Sequence, residues 1–303
     1  MRGKIRLMLM ALVLMSCSGN GIDSDPGLDY QYGRNLSHEK IVLGARLENP
    51  YKTENITKAL EALYPTKADR VEVRTTDLYV LFLPKDEEQL ALLDGLRLTD
   101  HPLDFEILED GDWYHDPEVP DDKMTWQYAV VPHDFDFPQV EYEIIDECHI
   151  SENSFQTRGD EGIDWEAVER QSYQMTGNAA YLLPDTRSEK VSPSGRITLV
   201  DEKVDGGKPV GVRGVRVSCN SFVKFAHVYT DEDGYYTMDK KFSAKLRYRL
   251  VFENVKGFSI GFNMILVPAS TSTLGKSGPD GVNVTVTKES ESCLLYTSPS
   301  PRD

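Results

Sequence analysis

The 303-residue chain has little basic charge, few cysteines and no long apolar segment. It carries 33 Lys and Arg against 50 Asp and Glu, which gives a formal net charge of −17 at pH 7. So acidic a chain does not bind nucleic acid by neutralising phosphates, and we expect no nucleic-acid partner. No run reaches the ~18 apolar residues that predict a transmembrane helix. Hydrophobic residues still make up 40% of the chain, which is enough for packed cores.

Several catalytic signatures are also missing. The sequence has no G-x-S-x-G nucleophile elbow, no P-loop, no dinucleotide fingerprint and no H-E-x-x-H, so we predict no catalytic residue and no cofactor. His115 with Asp116, and His133 with Asp136, bring imidazoles and carboxylates together and are the candidate metal ligands. Adjacent residues of an extended chain point to opposite faces, so we expect surface groups here rather than a metal centre.

The first 17 residues have the layout of a secretory signal. A positively charged start is followed by the apolar residues 7–15 and by the letters LMSC, which end at Cys17. This ending resembles the bacterial lipobox, in which the cysteine is lipidated and becomes the mature N-terminus. The resemblance implies that residues 1–17 are a lipoprotein signal peptide, that Cys17 carries the lipid, and that this lipid anchors the protein in the bacterial envelope, at the outer membrane.

Two further segments lie outside the predicted folded units. Residues 18–38 are polar and rich in Gly and Asp, which predicts a flexible tether. Residues 289–303 are predicted to be a tail, and its end, CLLYTSPSPRD at 293–303, resembles a translated sequencing adapter. We therefore expect the natural gene to continue past Ser292 with different residues.

Residues 39–150 are predicted to form an α+β module that includes an extended aromatic and acidic segment. The patterns indicate a helix, a hairpin, a second helix and a strand, in the order Thr53–Tyr64, Arg70–Thr75 with Leu78–Pro84, Asp86–Leu96 and Leu103–Leu108, with Ile41–Leu43 as a further strand. This order favours helices on one face of an antiparallel sheet, near the ferredoxin-like plan. The prolines and aromatics of residues 111–150 exclude a long helix and favour extended chain.

Charge changes sharply along the chain. Residues 100–166 contain 21 Asp and Glu against two basic residues, whereas residues 195–292 contain 11 acidic and 14 basic residues. The shift marks a domain boundary, and residues 151–191 are predicted to be a connector with a short helix at Asp164–Met175.

Residues 192–288 show short alternating strands with turns between them. The predicted strands are Arg196–Val200, Val210–Cys219, Phe225–Thr230, Tyr235–Met238, Leu246–Phe252, Phe258–Val267 and Val282–Thr287. Along residues 246–252 the apolar residues face one way, while Arg247 and Arg249 face the other. Asp231 to Gly234 is predicted to be a hairpin loop, because the closing Glu of a calcium loop is missing. The pattern indicates an all-β sandwich.

Three runs of this region carry a family resemblance. GRITLVD, VGVRGVRVSC and HVYTDEDGYYTM are similar to the carboxypeptidase regulatory-like domain, a transthyretin-like sandwich whose T-D-x-x-G-x-Y signature falls at Thr230, Asp231, Gly234 and Tyr236. The resemblance implies a non-catalytic accessory domain, of the kind attached to peptidases or to outer-membrane proteins. The upstream runs NPY, FLPKDEE and TWQY look like those of envelope lipoproteins of Bacteroides relatives.

Cys148 and Cys219 are the two cysteines inside the predicted units. Both continue the period-two pattern of a strand, which predicts buried thiols. A disulfide between them stays open as an alternative, because spacing alone does not fix disulfide geometry.

The sequence therefore predicts a lipid-anchored envelope protein with a non-catalytic binding or scaffold role, whose partner is an envelope protein or a glycan. Two alternatives stay open. In the first, the chain is the accessory front part of a truncated cell-surface hydrolase, such as a peptidase. In the second, residues 39–110 act as a protease propeptide or inhibitor.

Overall fold

The computed structural model describes residues 40–68, 71–109, 111, 113–120, 122–154, 162–183, 191–200, 206–251, 271–277 and 281–286. The predicted signal peptide with Cys17, the tether and the tail lie outside these residues, and so does the predicted strand Phe258–Val267. Within them, no helix combines the length and the apolar character needed to cross a membrane.

The described chain is mostly β-sheet, with several antiparallel sheets and three α-helices among the described residues. Residues 40–183, called here the N-terminal unit, contain β1 Val42–Arg46, α1 Thr53–Leu63, β2 Asp77–Phe82, α2 Glu87–Ala91, β3 Phe105–Glu109, β4 Gln127–Pro132, β5 Tyr142–Cys148 and α3 Trp165–Met175. Residues 191–286, the C-terminal unit, contain β6 Ser194–Leu199, β7 Val210–Gly211, β8 Arg216–Ser221, β9 Lys224–Tyr229, β10 Tyr235–Thr237, β11 Leu246–Val251, β12 Thr271–Ser277 and β13 Val284–Val286.

Strand pairing in the N-terminal unit differs from the predicted hairpin and from a single ferredoxin-like sheet. β2 lies between β4 and β5, while β1 pairs with β3 in a separate two-stranded sheet. Both edges of β2 are therefore occupied, and every residue of β2 is buried. The preceding residues 71–76 form no strand, and Val71 packs instead against the core of α1 and α3.

The two long helices form where the sequence predicts them. Ile56, Ala59 and Leu60 lie on one buried face of α1 and pack in one cluster with Val168 of α3. Asp164 caps α3, since its carboxylate accepts hydrogen bonds from the backbone N–H groups of residues 166 and 167. α2 is shorter than the predicted Asp86–Leu96, because the chain leaves the helix for a turn after Ala91.

The C-terminal unit consists of two sheets that share one core. One has the order β10-β6-β13, with β7 also paired to β6, and the other has the order β12-β11-β8-β9. Apolar residues of both sheets form a single buried cluster that includes Ile197, Val217, Tyr248 and Val284. The alternation predicted for β11 is confirmed, because Leu246, Tyr248 and Leu250 are all buried. β12 lies outside the predicted strands, and β13 runs parallel to β6.

The turn predicted at Asp231 to Gly234 is present, but it does not close a hairpin. β9, before the turn, pairs with β8, whereas β10, after it, pairs with β6 in the other sheet. The Asp231 carboxylate accepts hydrogen bonds from the N–H groups of Asp233 and Tyr235, and Gly234 adopts a φ of +81°. The turn therefore carries the chain between sheets.

The two units pack together through a shared core. Tyr51, Tyr79 and Tyr173 of the N-terminal unit form one buried cluster with Phe222 and Val223, which lie between β8 and β9. The predicted connector helix α3 is thus a packed element rather than a spacer.

A buried ionic cluster lies beside this shared core. Lys224 of β9 has no exposed side-chain surface, and its ammonium group lies 2.7 Å from a carboxylate oxygen of Glu152 and 3.2 Å from one of Glu169. Glu169 in turn accepts a 2.9 Å hydrogen bond from the hydroxyl of Tyr51. Each charge of the cluster meets an opposite charge, which is what allows it to be buried.

Candidate anion-binding site

Four arginines line one cavity between the two units. Arg97 follows α2 in the N-terminal unit, Arg216 belongs to β8, and Arg247 and Arg249 belong to β11. The cavity has a volume of about 70 Å³. We call this cavity, with its four arginines, the arginine pocket.

Strand alternation explains why three of these arginines share one wall. On β11, Arg247 and Arg249 face away from the core that their neighbours fill. β8 and β11 are antiparallel, with Arg249 opposite Ser218 and Arg247 opposite Asn220, so the face that carries Arg216 also carries these residues. This polar face of the sheet is covered by residues 97–101 of the N-terminal unit, which contribute to the same cavity.

Arg97 is held against this sheet by a backbone carbonyl group and an aromatic ring of β9. Its guanidinium lies 5.0 Å from the ring centroid of Phe225, and Nη1 donates a 3.2 Å hydrogen bond to the carbonyl oxygen of Ala226. Nη2 is buried and has no hydrogen-bond acceptor among the described residues. The pKa of Arg97 is lowered to about 10, first by burial and then by the positive charges of Arg216 and Arg249.

His101 and Asp100 form the polar end of the pocket. Nδ1 of His101 lies 2.9 Å from a carboxylate oxygen of Asp100, and Nη1 of Arg247 lies 2.9 Å from Nε2 of His101. Arginine has only donors, so Nε2 accepts from Arg247 and Nδ1 donates to Asp100. This arrangement requires a neutral imidazole.

The net effect of burial, hydrogen bonds and nearby charges is to lower the pKa of both His101 and Asp100. Burial lowers the pKa of His101 further than the hydrogen bond with Asp100 raises it, and the charges of Arg247 and Arg249 lower it as well. Burial raises the pKa of Asp100, but the hydrogen bond with His101, the Arg249 charge and the backbone N–H of Tyr114 together lower it below its usual value. Asp100 is therefore ionised and His101 neutral near pH 7.

The pocket concentrates positive charge in a strongly acidic protein. Among the described residues that line the cavity, the four guanidinium groups are accompanied by the carboxylate of Asp100, which accepts hydrogen bonds from His101 and from the N–H of Tyr114. Guanidinium groups bind carboxylate, phosphate and sulfate oxygens through paired, charge-assisted hydrogen bonds. The arrangement is suited to binding an anion.

The metal candidates predicted from sequence do not form a centre. Both ring nitrogens of His115 lie 3.0 Å from backbone carbonyl oxygens, and the carboxylate of Asp116 accepts a hydrogen bond from the N–H of Glu118. His133 and Asp136 are exposed. No group of three or more His, Cys, Asp or Glu side chains able to hold a metal occurs in the described part of the chain.

The two predicted thiols are buried and unbridged. Cys148 lies in the core shared by the two units and Cys219 in the core of the C-terminal unit. Their separate clusters rule out a disulfide in this structure. Burial raises the pKa of Cys219 to about 12, so neither the position nor the ionisation of this thiol suits a nucleophile.

No sequence pattern predicted the arginine pocket. The alternation of β11 placed Arg247 and Arg249 on the face away from the core, which is correct, but such a face is ordinarily solvated. Arg97 lies more than a hundred residues earlier and carries no motif. A local excess of arginine over lysine in β8 and β11 was the one available signal.

Comparisons with known proteins give little beyond this geometry. No protein-family model matches the chain, and no curated protein matches it. Among solved structures, a crystal structure of (S)-allantoin synthase matches at 12% sequence identity and a TM-score of 0.20. The match covers 41% of this chain and 48% of that chain, less than half the length of the matched protein. So low a TM-score supports no conclusion on fold or function.

Proposed function

We propose that the protein is a non-catalytic binding protein whose arginine pocket holds the anionic group of a ligand. The observation that carries this proposal is the buried Nη2 of Arg97, which lacks an acceptor among the described residues while other arginines crowd it. A buried donor without a partner costs about 1–3 kcal/mol, and native proteins rarely keep one without a reason. An anion in the pocket would supply the acceptor and offset the repulsion between the guanidinium groups.

The size of the cavity limits the group that fits. Its volume of about 70 Å³ corresponds to roughly five to seven water-sized positions. A carboxylate, phosphate or sulfate group is of this size, whereas a complete sugar ring with its substituents is larger. The pocket therefore suits the charged end of a ligand whose remainder lies outside it.

The sequence supports a place for this function in the bacterial envelope. The segment that ends at Cys17 resembles a lipoprotein signal, so the protein is anchored by lipid with its folded units beyond a tether. We assign the N-terminal unit as an α+β module and residues 192–288 as a transthyretin-like sandwich, on the resemblance of its sequence and on its two sheets around one core. Such a sandwich acts as an accessory module.

The experiment is isothermal titration calorimetry of the purified protein with inorganic phosphate and with acetate, at constant ionic strength. The wild-type protein should bind at one site. Arg97→Met keeps the length of the side chain but removes its charge, and it should weaken binding by about tenfold or more, since a hydrogen bond to a charged group contributes roughly 1.5–3 kcal/mol.

Arg213→Gln is the matched control. Arg213 lies on the surface in an exposed ion pair with Glu232, away from the pocket, and its loss should not change the affinity. If neither anion binds the wild-type protein, or if Arg97→Met and Arg213→Gln behave alike, the proposal is wrong.

A further inference from the structure

A second cavity adjoins the arginine pocket, and the two share three wall residues. His101, Asn220 and Arg247 line both cavities. The second cavity has a volume of about 40 Å³. Whatever occupies both cavities must pass beside Arg247.

The remaining walls of the second cavity are largely apolar. They include Leu47, Leu103, Phe105 and Ile107 from the N-terminal unit and Phe222 from the β8–β9 turn, while the polar residues of this wall are Tyr181, Ser221 and the exposed Lys245. We call this cavity the apolar pocket. Its volume corresponds to roughly three or four water-sized positions, which is the size of a branched aliphatic side chain such as that of Val or Leu.

We infer that the two pockets together bind the C-terminal residue of a peptide, with its carboxylate in the arginine pocket and its aliphatic side chain in the apolar pocket. The inference rests on the proposed function and specifies its ligand. In a C-terminal Leu or Val, the carboxylate and the side chain leave the same carbon atom. A single residue therefore spans two small cavities that meet at Arg247 and His101.

Charge favours a peptide over a free amino acid. The α-ammonium group of a free amino acid lies within a few ångströms of its carboxylate, and here it would face the same four arginines. At such distances two like charges near a protein surface repel strongly enough to weaken binding measurably. In a peptide this nitrogen is an uncharged amide that donates a hydrogen bond.

The test is calorimetry with four related probes and with inorganic phosphate. The peptide acetyl-Gly-Gly-Leu with a free carboxylate should bind best. Its C-terminal amide should bind at least about tenfold more weakly, because the charged acceptor is lost. Acetyl-Gly-Gly-Gly and free leucine should also bind more weakly, since one lacks the aliphatic side chain and the other adds the ammonium group.

A pair of variants on β3 separates the apolar pocket from the arginine pocket. Ile107→Trp introduces bulk into the wall of the apolar pocket and should remove the preference for Leu over Gly while leaving phosphate binding unchanged. Leu108→Trp makes the same change at the next residue, which is 60% exposed and outside both cavities, and should alter neither.

The outcomes distinguish the two proposals. If phosphate binds but acid and amide peptides bind equally, or if Leu and Gly peptides bind equally, the anion site stands and the peptide ligand is wrong. If phosphate and acetate fail to bind as well, the proposed function itself is wrong. Loss of the Leu preference in Leu108→Trp as well as in Ile107→Trp would contradict the assignment of the apolar pocket.

Discussion

At the residue scale, His101 joins the two units through a hydrogen bond that only its neutral form can make. Nδ1 donates to Asp100 and Nε2 accepts from Arg247 of β11. Protonation would place a second N–H group against a guanidinium. The residue is 7% exposed, so water cannot easily replace the lost partner.

We predict that the free energy of unfolding falls as the pH falls below about 6.5. The pKa of His101 is lowered from 6.5 in the folded state, so the unfolded chain binds a proton that the folded chain does not. This contribution is fully present above 6.5 and is lost as the pH drops through the folded-state pKa. Asp100, whose pKa is also lowered, acts in the same direction at still lower pH.

Urea unfolding of the wild-type protein and of His101→Asn, measured between pH 5 and 8, checks this prediction. The variant should be less stable at pH 8 and should show a weaker pH dependence. The pKa of His227 is also lowered, but His227 is present in both proteins. The difference in pH dependence between wild type and His101→Asn therefore reports on His101. His133→Asn, a change at an exposed histidine, serves as the control. A pH dependence that is identical in wild type and His101→Asn would contradict the assigned hydrogen bonds.

At the scale of elements, Lys224 ties β9 to α3 and to the 3-10 turn at Ser151–Asn153. Lys224→Met keeps the length of the side chain but leaves Glu152 and Glu169 without this cation. Removal of one partner from a buried ionic cluster lowers the free energy of unfolding by about 3–5 kcal/mol, and we expect a loss of that order here. Urea unfolding measures it.

Lys58→Met is the matched control for Lys224→Met. Lys58 pairs with Glu54 on the exposed face of α1, where water screens the pair, so its replacement should leave stability unchanged. Equal effects of the two variants would contradict a structural role for the buried cluster.

Local sequence patterns predicted individual helices and strands well, but they predicted the pairing of strands poorly. The spacing of Ile56 and Leu60 predicted α1, and the alternation of apolar residues predicted the buried face of β11. Both predictions succeeded because these patterns depend on residues that are close in sequence. The hairpin predicted between Arg70–Thr75 and Leu78–Pro84 was wrong, because β2 pairs with strands some 50 and 65 residues later. Such pairings depend on the geometry of the connecting loops and on competition between strands. A short stretch of sequence carries no information on either.

The arginine pocket was missed for the same reason. Sequence placed Arg247 and Arg249 on the outer face of β11, but the segment that covers this face, with Arg97 and His101, lies about 150 residues earlier. A sheet face that would be solvated in an isolated sandwich becomes the wall of a cavity when a second unit packs on it. The chemistry of the site therefore arises from the packing of two units and from neither alone.

At the scale of the whole molecule, the lipid anchor predicted at Cys17 can be tested directly. A single acyl chain gives marginal binding, whereas two or more chains give stable anchoring at ~0.8 kcal/mol per buried CH₂ group. We predict that Cys17→Ala moves the protein from the membrane fraction to the soluble fraction, measured by immunoblot after a high-salt wash. Cys219→Ala is the control at a buried core thiol and should leave the protein in the membrane fraction. A Cys17→Ala variant that still sediments with membranes would rule out the lipid anchor.

The edge strand β5 has a consequence for how copies of the chain meet. Glu141, Glu143 and Glu147 are exposed along or beside this strand, at the outer edge of the sheet with order β4-β2-β5. An open strand edge readily pairs with the edge of a neighbouring molecule. Rows of carboxylates on two facing edges would repel each other, so these glutamates disfavour strand pairing between copies of the chain.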